Sequence, residues 1–146
     1  MDRRFAPIKA YAGRVALPQR KTAFSAGYDL AAVEETTIAP GAVALVPTGL
    51  KAYMGESEVL LLSVRSSLAV KRGVSLANGI GVIDADYVDN PDNEGHILIA
   101  LRNHTDGPVT IGVGERVAQG IFLPYLTTVD DAAAGKRAGG FGSTGR

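Results

Sequence analysis

The sequence contains no cysteine and only two histidines, His96 and His104. The lack of cysteine excludes disulfides, thiolate zinc sites and cysteine nucleophiles, and two histidines do not make a histidine-rich metal site. Fifteen basic and fifteen acidic side chains cancel, so no net positive field attracts nucleic acid or an anionic membrane surface. Acid–base chemistry in this chain therefore falls to carboxylates.

Long apolar runs are also missing. None approaches the roughly 20 residues that a helix needs to span a bilayer. The segment 1–7 begins with charged residues and ends at Pro7, and it lacks the apolar stretch of a signal peptide. We therefore expect a soluble, cytoplasmic protein whose partners include no nucleic acid and no membrane.

Helix-breaking residues are plentiful: 18 glycines and seven prolines are spread along 146 residues. They leave few windows long enough for a helix and separate short apolar runs rich in β-branched side chains. One short helix is predicted from Leu68 to Arg72, capped by Ser66 or Ser67 and ended by Gly73. The pattern predicts an all-β jelly roll or sandwich, with strands at residues 8–11, 27–32, 42–46, 59–64, 96–101 and 116–123.

The C-terminal stretch differs from the rest. Residues 127–146 have few core-forming side chains, so we predict a β-domain of residues 1–126 followed by a mobile arm. Phe141, a lone aromatic among glycines, is suited to stacking on a flat ligand, and Arg137, Ser143 and Thr144 can donate to phosphate oxygens. Two interpretations stay open: a disordered terminus, or a lid that orders over a nucleotide.

Residues 78–87 combine a turn with two acids. Asn78 and Gly79 are a strong tight-turn signal, and a narrow hairpin there would expose backbone groups able to read a base edge. Asp84 and Asp86 are two apart and share a face in a strand, where close carboxylates raise one pKa or attract a cation. Tyr87 is placed to stack on a sugar. The alternative is a pair of exposed turn acids.

Three further segments carry polar groups beside apolar strands. The fork of Arg65 with Ser66 and Ser67 suits an anion, the alternative being a helix cap with a surface ion pair. Asp29 suits a water-mediated Mg²⁺ contact, or is an edge aspartate. Gln119 suits a phosphate or a water molecule, or is a plain residue of the β-sandwich. Arg116, three residues before it, is expected on the opposite face of the strand.

Five segments, in this order, resemble the five motifs of the homotrimeric dUTPase family: residues 26–30, 65–69, 81–87, 116–119 and 139–145. The resemblance implies a dUTPase-like jelly-roll trimer with active sites shared between subunits, one subunit lending its C-terminal arm. It implies hydrolysis of dUTP to dUMP and pyrophosphate with Mg²⁺, which lowers dUTP and supplies dUMP for thymidylate synthesis.

By position, the resemblance also implies residue roles. Asp84 would activate the attacking water and Gln119 would help to hold the phosphates, which makes these two the catalytic residues. Asp29 would contact the metal through water. The implied substrate-binding residues are Arg65, Ser66, Ser67, Asn78, Gly81, Val82, Ile83, Tyr87, Arg137, Phe141, Gly142, Ser143 and Thr144.

Departures from the family pattern leave alternatives open. Val64 stands where proline usually precedes Arg65, and Lys136 occupies the usual place of the fifth motif's arginine. An acidic loop, residues 88–95, replaces the usual Arg-Gly-Glu after Tyr87. The alternatives are a dCTP deaminase of the same fold and a regulatory binding protein on a dUTPase scaffold, with residues 89–94 as its surface.

Overall fold

The computed structural model describes residues 2–140, within which eleven strands and one α-helix are formed. No helix in this part of the chain is long and apolar enough to cross a membrane. The elements are β1 (Arg4–Pro7), β2 (Tyr28–Ala31), β3 (Thr36–Ile38), β4 (Val43–Pro47), β5 (Leu50–Tyr53), β6 (Glu58–Val64), α1 (Ser66–Arg72), β7 (Val74–Leu76), β8 (Gly81–Asp84), β9 (Leu98–Asn103), β10 (Val109–Ile111) and β11 (Arg116–Pro124).

The strands form four antiparallel sheets. The largest has the order β2-β11-β6-β8, and a three-stranded sheet has the order β4-β9-β7. Two strand pairs, β1-β5 and β3-β10, complete the set. Because neighbouring strands are distant in sequence, each motif-bearing strand is placed by long-range pairing. The predicted all-β fold with one short helix is confirmed.

One hydrophobic core lies between the sheets. Alternate residues of β6 and β9 point into it, as expected when one face of a strand is covered. Leu60, Ile99, Leu101 and Val117 have no more than a trace of exposed surface, so the central strands are held by packing on several sides. This rigid core is what holds the ends of β6, β8 and β11 in place.

The helix α1 ends as predicted but begins differently. Gly73 follows it in the left-handed conformation, with φ of 64°, and its N–H donates to the carbonyl of Leu68. The N-cap is Arg65, without a side-chain capping hydrogen bond, and Ser66 is the first helical residue. The prediction of a serine cap is therefore wrong, which leaves both serine hydroxyls available to a ligand.

Two other local predictions are wrong. The segment Lys9–Tyr11 is a 3₁₀ helix and not part of a strand, since the N–H of Tyr11 turns back to the carbonyl of Ile8. The Asn78 turn is not a paired hairpin, because β7 pairs with β9 while β8 pairs with β6. The turn instead carries the chain from one sheet to another.

Residues 127–140 form no helix or strand. Their side chains are exposed up to residue 136, after which Arg137 is partly buried and Gly139 and Gly140 are buried. The chain therefore returns to the surface of the β-domain at Arg137. Phe141, Gly142, Ser143 and Thr144 lie outside the described residues, and their predicted roles stay predictions.

Candidate active site

A cavity of about 240 Å³ lies beside the last strand of the largest sheet. We call it the carboxylate cavity, because Asp84 stands at its edge. Its lining combines polar groups from the Asn78 turn with apolar side chains of four strands: Leu62, Leu76, Asn78, Gly81, Val82, Ile83, Asp84, Tyr87, Leu98, Ala100 and Arg137.

Strand β8 positions Asp84. The strand pairs with β6, Gly81 opposite Leu62 and Asp84 opposite Val59, so the carboxylate stands at the end of a paired strand. Asp86 lies beyond it in a turn, so the two acids do not share the face of one strand. The Asp84 side chain is 53% exposed, so a water molecule can reach it.

Arg137 joins the two carboxylates. Its Nη2 lies 2.5 Å from Asp84 Oδ2 and its Nε 2.8 Å from Asp86 Oδ1, while Nη1 donates to the carbonyl of Gly139. The hydrogen bond to Asp86 is the largest of the interactions that raise the pKa of Arg137. The cation expected beside two close carboxylates is thus a guanidinium from the start of the C-terminal arm.

Tyr87 forms a buried wall of the cavity. The residue is 7% exposed, and burial raises the pKa of the phenol. The hydroxyl donates to the carbonyl of His96 at 2.7 Å and accepts from Asn93 Nδ2 at 2.8 Å. Two hydrogen bonds therefore hold the hydroxyl end of the ring, which presents a fixed surface to anything that enters.

A second, more open cavity of about 500 Å³ lies where β6 runs into α1. We call it the arginine cavity. Donors predominate in its lining, and the fork of Arg65 stands beside two serine hydroxyls and the Gln119 carboxamide. The lining residues are Lys21, Ser25, Ala26, Gly27, Asp29, Arg65, Ser66, Ser67, Gln119 and Ile121.

Asp29 organises the basic side chains of this cavity. Its Oδ1 lies 3.3 Å from Arg65 Nε and its Oδ2 lies 3.6 Å from Arg116 Nη1. A β-bulge between Arg116 and Ala118 brings Arg116 to the same side as Gln119, because the extra residue reverses the alternation. The prediction that Arg116 and Gln119 occupy opposite faces is therefore wrong.

Gln119 is held over the backbone of the first motif. It pairs with Asp29 on β2 and with Ser63 on β6, so these three side chains share one face of the sheet. A Cβ at Gly27 would stand 2.6 Å from Gln119 Oε1, closer than real atoms approach. Glycine at this position is thus the reason that the carboxamide can lie where it does.

The two cavities are far apart on one chain. Asp84 lies opposite Val59, near the beginning of β6, whereas Arg65 follows the end of that strand. The stretch from Val59 to Arg65 spans roughly 20 Å at the rise of an extended strand. A water molecule at Asp84 therefore cannot attack a phosphate that is held by Arg65 of the same chain.

Several residues of both cavities escaped sequence reasoning. Lys21 and Ser25 precede the first motif, and a basic residue so close to Gly27 was a usable signal. Leu98 and Ala100 of β9 line the carboxylate cavity. Their alternation along the strand indicates a shared face, but it does not tell which cavity that face meets.

The five motif segments lie within the part of the chain that resembles known proteins. A family model for dUTPase matches residues 14–145. The chain belongs to the dUTPase family. The predicted family and the predicted enzyme class, dUTP diphosphatase, are thereby confirmed.

Relatives within the dUTPase family support this over most of their length. The deoxyuridine 5'-triphosphate nucleotidohydrolase of Lactococcus lactis is 53% identical over 131 residues, which cover 88% of this chain and 87% of that protein. The enzyme of the same description from Anaeromyxobacter is 42% identical over 135 residues, 89% of this chain and 88% of that protein.

Solved structures agree on the fold. The crystal structure of dUTPase from Streptococcus mutans is 51% identical, with a TM-score of 0.83 over 86% of this chain and 98% of that one. A mutant dUTPase from phage phi11 of S. aureus, whose structure shows the coordination of a structural Mg(II) ion, has a TM-score of 0.76 over 91% of this chain and 97% of that one. It is 20% identical, so this likeness shows the fold alone.

Acidic and histidine side chains are sparse in both cavities. Within residues 2–140, no group of three or more His, Cys, Asp or Glu side chains is placed to hold an ion. Asp29 Oδ2 is buried and has no hydrogen-bond partner in the described chain. A buried carboxylate oxygen in that state is suited to accept a hydrogen bond from a ligand or a ligand-borne water molecule.

Proposed function

We propose that this chain hydrolyses dUTP to dUMP and pyrophosphate by in-line attack of a water molecule on the α-phosphate. Membership of the dUTPase family supports the substrate. The observation that carries the mechanism is Asp84, an accessible carboxylate at the mouth of a cavity walled by Tyr87. In the cell, the reaction lowers dUTP and supplies dUMP for thymidylate synthesis.

Uracil and deoxyribose enter the carboxylate cavity. The backbone of Gly81, Val82 and Ile83 and the Asn78 side chain read the base edge, and the limited volume leaves little space for a methyl group on the ring. Tyr87 packs on the sugar. Its buried ring lies where a 2′-hydroxyl would have to be accommodated, so ribose is excluded.

Asp84 accepts a proton from the attacking water. The phosphates are held in the arginine cavity by Arg65, Ser66, Ser67 and Gln119, whose donors favour the transition state as charge moves onto pyrophosphate. Positioning of this kind contributes most of the rate, and a general base adds about 10²- to 10⁴-fold.

A homotrimer brings the two cavities together. About 20 Å separates Asp84 from Arg65 on one chain at strand geometry, so a complete site needs Asp84 from one subunit and Arg65 from another. In this assembly a C-terminal arm closes the site. Phe141 covers the uracil, Gly142 also binds the substrate, and Arg137, Ser143 and Thr144 donate to the γ-phosphate.

Mg²⁺ is the proposed cofactor. It suits a site in which the triphosphate and water supply most of the oxygen ligands and the protein supplies few. Asp29 Oδ2, which accepts no hydrogen bond within the described chain, would accept one from a water molecule of the ion. When bound, the ion neutralises phosphate charge.

The test is a pyrophosphate-release assay with purified protein, Mg²⁺ and each of dUTP, dTTP, dCTP and UTP in turn. We expect release from dUTP and much slower release from the other three, and chelation by EDTA should lower the rate. Comparable rates on all four nucleotides would refute the proposed specificity. Ammonia release from dCTP would indicate the deaminase instead.

A further inference from the structure

The loop of residues 88–95, which departs from the family pattern, is built around a buried side chain. We call it the asparagine loop. Asn90 is 6% exposed, yet all of its polar atoms are paired. Its Nδ2 donates to the carbonyl of Tyr87 at 2.7 Å, and its Oδ1 accepts from the N–H groups of Asp92 and Asn93 at 3.0 and 3.1 Å. A satisfied buried network of this kind fixes one loop conformation.

The same network dictates the orientation of Asn93. Its Oδ1 accepts from Asn90 Nδ2 at 2.8 Å and from the N–H of Gly95 at 3.1 Å. The Nδ2 is thereby directed to the Tyr87 hydroxyl at 2.8 Å. The hydroxyl donates its one hydrogen to the carbonyl of His96, so it can only accept the hydrogen bond from Asn93.

Strand β5 anchors the loop to the β-domain. Lys51 Nζ lies 2.5 Å from Asp89 Oδ1 and 2.9 Å from Glu94 Oε2, and the Tyr53 hydroxyl donates to Asp89 Oδ2 at 2.7 Å. Asp89 and Glu94 both have positive φ, a strained backbone conformation that the anchor maintains. The acids at 89 and 94 are therefore structural partners of Lys51.

The loop also touches the beginning of the C-terminal arm. A Cβ at Gly140 would lie 3.0 Å from Tyr87 Cε1 and 3.4 Å from Asn93 Nδ2. A Cβ at Gly139 would lie 3.0 Å from Asp92 Cβ. The arm thus reaches the β-domain at the point where Asn93 meets Tyr87.

We propose that Asn93 is a positioning residue for sugar specificity: its carboxamide fixes the Tyr87 ring in the place where the ring excludes a ribose. The inference rests on the proposed function, in which Tyr87 packs on deoxyribose. Among the described residues, Asn93 is the one side chain that hydrogen-bonds this hydroxyl. Its loss leaves the hydroxyl with a single hydrogen bond, to the backbone carbonyl of His96, and so loosens the position of the ring.

The experiment compares Asn93→Ala and Asn93→Asp with the wild-type enzyme. Each variant is assayed for kcat/KM with dUTP, UTP and dTTP on the same preparation. We expect the dUTP-to-UTP ratio to fall about tenfold, the scale of one specificity contact. The dUTP-to-dTTP ratio should stay unchanged, because Asn78 and the backbone of Gly81, Val82 and Ile83 read the base in the proposed function. Asn93→Asp keeps the side-chain volume but replaces the donor with an acceptor, so it should behave as the alanine variant does.

Two further variants separate positioning from general damage. Pro91→Ala changes an exposed residue of the same loop and should leave both ratios at the wild-type values. Tyr87→Phe removes the hydroxyl that Asn93 contacts, so adding Asn93→Ala to it should cause no further loss of sugar discrimination. A misfolded fraction lowers the rates with all substrates equally and leaves each ratio intact.

The proposal is overturned if the dUTP-to-UTP ratio survives in both Asn93 variants, if both ratios fall together, or if the double variant discriminates less than Tyr87→Phe. Failure of the proposed function is a different result, namely a wild-type protein that releases no pyrophosphate from dUTP. In that case calorimetric binding of dUMP and UMP still tests Asn93. A dUMP preference that Asn93→Ala weakens supports the proposal, and no change refutes it.

Discussion

Asp84 and Asp86 place two carboxylates on one guanidinium at the edge of a cavity. Arg137 satisfies both, although it lies more than fifty residues away in the chain, at the start of the C-terminal arm. Phosphate oxygens compete for the same kind of donor, because guanidinium binds carboxylate and phosphate by the same geometry. In the proposed trimer, Arg137 would exchange the carboxylates for a phosphate when a nucleotide binds.

Asp84→Asn should lower kcat for dUTP by about 10²- to 10⁴-fold, because the amide cannot take a proton from the attacking water. KM and the melting temperature should change little, since the carboxylate is half exposed and the amide has the same shape. Steady-state kinetics and thermal unfolding measure both. Asp106→Asn, an exposed loop change, is the matched control and should leave kcat unchanged. Full activity in Asp84→Asn would remove the proposed base.

His96 gives the protein a pH dependence on the acid side of neutrality. Burial lowers the pKa of its imidazole, and its Nε2 accepts the N–H of Gly49 at 2.9 Å, which requires an unprotonated nitrogen. Below the ordinary histidine pKa of about 6.5, the unfolded chain takes up a proton that the folded chain resists. Stability is thus present above pH 6.5 and falls as the pH drops toward the lowered pKa.

His96→Gln should remove this part of the pH dependence, since glutamine offers an acceptor and does not titrate. The measurement is the free energy of unfolding in urea from pH 7.5 down to pH 5. Equal slopes in wild type and His96→Gln would show that His96 does not contribute.

At the scale of elements, the end of the short helix is set by a local sequence signal, whereas the bulge in β11 is set by tertiary contacts. The stop at Gly73 follows from the left-handed conformation, which any glycine allows at a helix end. The bulge in β11 has no such signal, yet it decides that Arg116 reaches Asp29. Turn chemistry is local and was predictable, whereas a bulge depends on the partner strand.

Lys51→Met should destabilise the fold by about 2 kcal/mol, the scale of hydrogen bonds to charged groups. The change leaves Asp89 and Glu94 without the ammonium, whose hydrogen bonds lower the pKa of both acids. Stability from lowered carboxylate pKa values is present above about pH 4 and is lost as the pH falls through the folded-state values. The difference between wild type and Lys51→Met should therefore shrink below pH 4.

Urea unfolding of both proteins from pH 7 to pH 3 measures that difference. Lys71→Met, on the exposed surface of α1, is the control and should cost little at any pH. A penalty for Lys51→Met that stays constant down to pH 3 would contradict the ion-pair explanation. It would indicate instead that the packing of the Lys51 stem accounts for the effect.

At the scale of the whole molecule, the distance between the two cavities is the governing fact. Each chain carries Asp84 at one end of β6 and Arg65 at the other. In a closed ring of identical subunits, the carboxylate cavity of one subunit can lie against the arginine cavity of its neighbour. The symmetry repeats this contact for every subunit.

Subunit mixing tests this arrangement. Asp84→Asn and Arg65→Ala trimers should each be nearly inactive alone. When equimolar amounts are unfolded, combined and refolded, about a quarter of the sites should pair an intact Asp84 with an intact Arg65 from another chain. Pyrophosphate release and sedimentation velocity measure activity and assembly. Each variant refolded alone is the control, and a mixture no more active than these would place the whole site within one chain.

The amino-acid sequence by itself determined the family, the end of the helix and five of the strands. These strands lie at residues 28–31, 43–47, 58–64, 98–103 and 116–124. Their signals are local: alternation, β-branched side chains, a glycine stop and motifs in a fixed order. Only the tertiary structure decided three other features: the conformation of the asparagine loop, the contact of Arg137 with Asp84 and the bulge that brings Arg116 to the face of Gln119. Each of these joins residues that are remote in sequence or depends on a neighbouring strand, and no local pattern encodes which distant group a side chain will meet.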